Sequence, residues 1–285
     1  MTLLFRCLSL LPLWLLHAMG HALGWVAYLG SGVYRARFQA NALQAGYRPA
    51  GVRAAVGQAG CMVAELPRLW LGRMPALQWA GSDVVDAQYQ ACKGIVFLTP
   101  HLGCFEITAQ GLALRYGPQY GDLTVLYRPA RKAWMAPLID SSRNRPGLVA
   151  VPTTLAGVKQ MIKALKSGRA VGLLPDQVPP EGLGVWSPFF GRDAYTMTLS
   201  ARLAQQTGAA VVLTWGERLP WGRGYKLHFS LLDAPLHSDL AQAVAQINHA
   251  MEGLVRACPS QYLWGYARYK QPKAQTKSLA SAATK

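Results

Sequence analysis

The stretch Gly94–Pro100, GIVFLTP, is a short and almost unbroken apolar run that ends on a proline. LTVLY (123–127), LVAVP (148–152), AVGLLP (170–175) and AAVVLTW (209–215) have the same character. Runs of this length suit strands whose two faces are both buried, as in a parallel sheet. Helical patterns separate several of them. In TTLAGVKQMIKALKSG, Thr154 is placed to cap a helix with Leu155, Val158, Ile162 and Leu165 on one face, and Gly168 suits its end. TMTLSARLAQQTG reads as a second helix closing at Gly208. Strand alternating with helix predicts an α/β fold, a mostly parallel sheet flanked by helices.

Ahead of the first run, RARFQANALQAGY and GVRAAVGQAGCMVAELPRLWLG carry apolar residues at helical spacing with arginines between them. Earlier still, Cys7 to Tyr34 contains no Asp, Glu, Lys or Arg. A run of that length can cross or line a hydrocarbon layer, although Pro12, His17, His21 and the glycines weaken a regular span. The segment is read as a retained anchor, spanning or lying in the interface. A cleaved signal peptide, with Arg6 before LSLLPLWLL, is the alternative. The domains expected are therefore a membrane anchor over 1–34, an α/β domain over 35–270 and a polar basic tail over 271–285 that reads as disordered.

The 285 residues contain 29 Lys plus Arg against 13 Asp plus Glu, a formal charge of +16, yet only 15% are charged. Such a balance points to a polyanionic partner and to a surface that partly meets something other than water. Charge alone does not choose among nucleic acid, anionic lipid and acidic protein. No recognisable nucleic-acid motif accompanies the basic residues, so no nucleic acid is expected. The five cysteines are scattered, with no Cys-x-x-Cys pair, which argues against a zinc site or a disulfide framework.

The chemistry is sought just after GIVFLTP, since sites in open α/β sheets form outside the carboxyl ends of strands. His101 falls at such an edge, and Glu106 follows in HLGCFE. With His101 in a loop and a helix starting after Gly103, Glu106 lies in the first turn and can reach back to orient the imidazole. On spacing alone a structural hydrogen-bonded pair is the default reading. Cys104 as a nucleophile is a further alternative, though small buried cysteines usually serve packing. No third ligand accompanies the pair, so no metal is expected. His237-Ser238-Asp239 resembles a triad in miniature, but adjacent residues do not converge, and a helix cap is the better reading.

The His-x4-Glu signature after a strand resembles that of the glycerolipid and lipid A acyltransferases. More specifically, the chain resembles the bacterial lipid A secondary acyltransferases, the lauroyl/myristoyl group, from about Arg35 to about Lys270. The marks are HLGCFE, YRPARKAWMAPLIDSSRNR (127–145), KALKSGRAVGLLPDQ (163–177), SPFFGRDAYT (187–196) and QYLWGYARYK (261–270), in that order. One departure stands out: Cys104-Phe105 replaces the family's common Asn-Trp, which bears on pocket lining. The resemblance implies a glycerolipid-acyltransferase-like fold at the cytoplasmic face of a bacterial inner membrane. It implies transfer of an acyl chain from acyl carrier protein, as the thioester co-substrate and with no other cofactor, to a hydroxyl of a phosphorylated lipid A precursor. His101 is then the general base and Glu106 its orienting partner. Arg143 takes the place of a phosphate- or oxyanion-binding arginine, with Arg218 as an ordinary arginine for comparison. Asp176 falls on a family acid or is simply a turn residue. The rival readings are another lipid acceptor such as a lysophospholipid or a phosphatidylinositol mannoside, a thioesterase, and a non-catalytic basic membrane-binding protein.

Overall fold

Seven strands form one sheet in a computed structural model that describes residues 2–127 and 145–273. They are β1 (Leu77–Ala80), β2 (Ile95–Leu98), β3 (Leu123–Tyr127), β4 (Leu148–Pro152), β5 (Ala170–Leu173), β8 (Ala210–Arg218) and β9 (Tyr225–Leu231), in the order β1-β9-β8-β2-β5-β3-β4. Strands β8, β2, β5, β3 and β4 are mutually parallel. These are the five apolar runs. Strand β9 returns antiparallel to β8, and β1 pairs parallel to β9. Between β5 and β8, β6 (Gly184–Phe189) and β7 (Arg192–Met197) form a separate antiparallel hairpin. It turns at Phe190 and Gly191, both at positive φ, as a tight two-residue hairpin requires.

The apolar runs are continuous because each strand feeds two cores. Val96 and Leu98 pack into one, with helices α8 (Leu155–Lys166), α9 (Leu199–Thr207) and α10 (Leu240–Ala257) above it. Ile95 and Phe97 pack into the other, beneath α6 (Ser82–Gln90) and α7 (Phe105–Tyr120). Thr154 caps α8 by accepting from the Gly157 amide, as expected. The buried face of α8 is rotated from the expected one: Met161, Ala164 and Leu165 are buried, whereas Leu155 sits at the exposed first turn. The residues Thr196 and Met197 close β7 instead of opening α9. Asp239 caps α10 by accepting from the Gln242 amide, so His237-Ser238-Asp239 is a helix start.

The N-terminal segment is two helices, α1 (Thr2–Leu10) and α2 (Leu13–Gly30), bent by 119° at the break holding Pro12. Among the described residues no single helix is long and apolar enough to cross a membrane, though this bent pair passes by length and composition. Helix α3 (Gly32–Gln44) follows, then α4 (Ala54–Ala64) and α5 (Leu66–Leu71), so the expected helix over 51–72 is interrupted at Glu65. Gly20 and Gly24 of α2 meet Gly57 and Gly60 of α4 so closely that a methyl group at Gly24 or Gly60 would collide with opposing backbone. Small residues allow that approach. Leu16 and His17 are buried in the same contact, so α2 is packed into the domain.

Candidate active site

His101 and Asp176 come from neighbouring strands. Leu98 is in register with Leu173 across the parallel β2–β5 pair, so the segments leaving these strands emerge side by side at the carboxyl edge. The Asp176 carboxylate takes both faces of the histidine: Oδ1 lies 2.7 Å from Nδ1, and Oδ2 accepts from the His101 backbone amide at 2.8 Å. A carboxylate only accepts, so Nδ1 carries the proton and Nε2 presents its lone pair. The Gln177 side-chain amide lies 2.9 Å from that Nε2 and donates to it. Tyr266 stacks nearly parallel to the ring at 6.4 Å between centroids, and Phe105 packs tilted against it at 5.0 Å. The ring is thus fixed in place and in tautomer, with Nε2 accepting from the Gln177 amide.

Asp176 is 2% exposed. Burial alone would raise its carboxyl, but the adjacent His101, with its two hydrogen bonds, overrides this and holds it below the ordinary range. The acid is therefore ionised throughout neutral pH. The resemblance makes Glu106 the orienting partner of the imidazole; the structure gives Nδ1 to Asp176 and Nε2 to Gln177. Two residues that sequence spacing could not relate, 75 positions apart, meet because their strands pair.

Glu106 stands in the first turn of α7, as expected, where the helix dipole favours a carboxylate. It lines a cleft between α7 and the sheet, of about 640 Å³ including open solvent. Thr99 and Phe105 line it as well, together with Leu112, Leu123 and Leu148. At 1.5 Å per helical residue, Glu106 to Leu112 spans about 9 Å of apolar wall. Phe105, at the position where the resemblance departs from Trp, contributes to both ring and cleft.

Arg143 lies outside the described residues. Arg145, two positions on, donates to the Gln110 side chain at 3.2 Å and to the Trp70 carbonyl. Burial lowers its pKa and the nearby Glu106 charge opposes that fall. Cys104 is buried, and burial foremost pushes its thiol well above the ordinary value, the opposite of an activated nucleophile.

Arg218 is no ordinary surface arginine. It is 4% exposed and forks onto Glu65, Nε to Oε2 at 2.9 Å and Nη2 to Oε1 at 2.6 Å. Burial would raise the Glu65 carboxyl, but Arg218 and a bond to His17 hold it down to about 2. The signal for this pair was an acid inside the apolar stretch CMVAELPRLWL of an acid-poor chain. Gln177 was similarly on view beside Asp176 but carried no signal of its own.

A histidine held by a buried acid, against the Phe105 ring that also lines an apolar cleft, is an arrangement that can activate a hydroxyl or water beside a hydrocarbon chain. A model of the bacterial lipid A biosynthesis acyltransferases matches residues 2–271. The chain belongs to that family. It is 33% identical over 181 residues to the lipid A biosynthesis lauroyltransferase of Escherichia coli (strain K12), covering 62% of this chain and 55% of that protein. It is 27% identical over 191 residues to the lipid A biosynthesis palmitoleoyltransferase of the same organism, covering 67% and 60%. The matched region thus spans somewhat over half the length of these curated relatives.

Proposed function

We propose that this member of the family transfers a fatty acyl chain from the thioester of acyl carrier protein to a hydroxyl of a phosphorylated lipid A precursor. The observation that carries the reading is the Asp176–His101 pair beside the apolar cleft. The acceptor hydroxyl displaces the Gln177 amide and gives its proton to His101 Nε2 as its oxygen bonds to the thioester carbonyl carbon. The carbon–sulfur bond breaks, and the departing thiolate takes the proton from the imidazolium. The acyl chain lies in the cleft, and Glu106, which lines it, acts where donor and acceptor converge. Arg143 keeps the role that the resemblance implies, binding phosphate or the developing oxyanion. The other lipid acceptors and water as acceptor are rivals that one assay separates. Mass spectrometry of products from acyl carrier protein donors, offered with a panel of acceptors and with none, should show acylated lipid A precursor. Free fatty acid as the main product, or another lipid as the preferred acceptor, would overturn the reading.

The same assay tests the cleft. Ala109→Phe fills its wall and should move the preference toward shorter chains, since each methylene denied burial costs about 0.8 kcal/mol, about fourfold in rate. An unchanged chain-length profile in the folded variant would place the chain elsewhere.

We further propose that the protein works at a membrane surface, with the site edge toward the lipid. Strand β8 runs parallel to β2, so the loop after Arg218 leaves the edge that holds His101. That loop carries Trp221, 88% exposed, and Gly222 packs it against the start of α2 beside the exposed Trp14 and Leu10. Trp side chains favour the lipid–water boundary, and basic charge favours anionic lipid. Because α2 is packed into the domain, point substitutions test this better than truncation. Trp14→Ser with Trp221→Ser should weaken co-flotation with anionic vesicles by about tenfold or more, since burying one such side chain is worth about 1.5–3 kcal/mol. Unchanged flotation of the folded double variant would contradict it.

A further inference from the structure

The loop from His101 to Cys104 is built like an extra strand. The Leu263 amide donates to the His101 carbonyl at 3.1 Å, Gly103 donates to the Gln261 carbonyl at 3.0 Å, and Cys104 to the Gly216 carbonyl at 2.7 Å. Gly103 has a φ of +56°, and any side chain there would run into the Gly216 carbonyl. One acceptor in this loop is met by a side chain from a distant element. Arg218 Nη2 donates to the Gly103 carbonyl at 2.7 Å while the same guanidinium forks onto Glu65. The arginine is itself locked at its backbone, where the Gln261 side chain accepts from its amide and donates to its carbonyl. Glu65 also accepts from the Tyr225 hydroxyl at 2.9 Å and meets His17 Nε2 at 3.2 Å. A chain of polar contacts thus runs from α2 through Glu65 and Arg218 to the loop between His101 and Glu106.

We propose that Arg218 is a positioning residue for transfer, and that Glu65 and His17 hold it in place. The guanidinium fixes the Gly103 carbonyl and with it the entry of α7, which sets where Glu106 stands relative to His101. A buried ion pair is a poor device for stability alone, because well-packed apolar residues of similar volume do as well or better. What the arginine supplies and apolar residues cannot is donors to both a carboxylate and a loop carbonyl. The N-terminal helix α2, on this account, takes part in organising the site through His17 in addition to meeting lipid.

The reading rests on His101 acting in acyl transfer, and the test separates the two. Glu65→Leu with Arg218→Met removes the pair without leaving a lone buried charge, so the fold should persist with a melting temperature near wild type. The loss should fall on kcat, about 10²-fold, the scale of an ångström-sized misplacement of reacting groups, with KM for donor and acceptor changing less than about threefold. Hydrogen exchange in the peptide covering 99–106 should quicken at the same time. Arg218→Lys keeps the charge but not the fork and should recover part of the kcat. His17→Gln leaves the fork intact and should stay folded with a smaller loss confined to kcat. Wild-type kcat in the folded double variant, or a loss confined to KM, would overturn the proposal. If the double variant does not fold, His17→Gln and Arg218→Lys decide it by the same split, wild-type kcat in both overturning it. A His101→Ala control that remains fully active would instead sink the underlying reading of the site.

Discussion

His101→Ala is expected to lower acyl transfer by about 10²–10⁴-fold, the range that a positioned general base supplies. The loss should lie in kcat, because the ring is not among the residues lining the apolar cleft proposed for the chain. Some stability should be lost, because the buried Asp176 keeps the His101 backbone amide but loses the imidazole that offsets its burial. The measurement is kcat and KM with an acyl carrier protein donor, with circular dichroism to confirm the fold. A folded variant with a rate near wild type would mean that the acceptor hydroxyl loses its proton elsewhere.

Asp176→Asn should be nearly as damaging, by about 10²–10³-fold, although it is isosteric. The reason is the tautomer. Asp176 only accepts, which forces the proton onto Nδ1 and leaves Nε2 basic. An asparagine amide can turn its NH₂ toward Nδ1, move the ring proton to Nε2 and so disarm the base. It also removes the negative charge that stabilises the imidazolium as it forms. A kcat within a few fold of wild type would reduce Asp176 to a turn residue.

The strands that frame this site were legible because burial on both faces leaves a simple trace. GIVFLTP, LTVLY, LVAVP, AVGLLP and AAVVLTW hold the five parallel strands; on the site side the second and third end where expected, the first and fourth stop two residues sooner, and the last runs on to Arg218. The antiparallel β9 was missed because YKLHFSL alternates, placing Lys226 and His228 opposite the core. LQWA was too short to register by itself. The site was half legible: His101 and Glu106 stand where the strand–loop–helix reading places them. The imidazole's partner was not, because a pair five positions apart is visible in sequence while a pair made by strand register is not. Arg218 misled for a related reason. An arginine at the end of an apolar strand reads as solvent-facing unless the acid that buries it, here Glu65 at a helix break far upstream, is known to lie opposite.

The central claim is that His101 and Asp176 act as one unit, and a double-mutant cycle on kcat measures this most directly. If the acid works only through the ring, its substitution costs nothing further once the ring is gone, and the effects do not add. The account predicts that His101→Ala with Asp176→Asn has the same kcat as His101→Ala alone, within about threefold. Losses that multiply, with the double variant slower than either single one by the full product, would show two independent groups and contradict it.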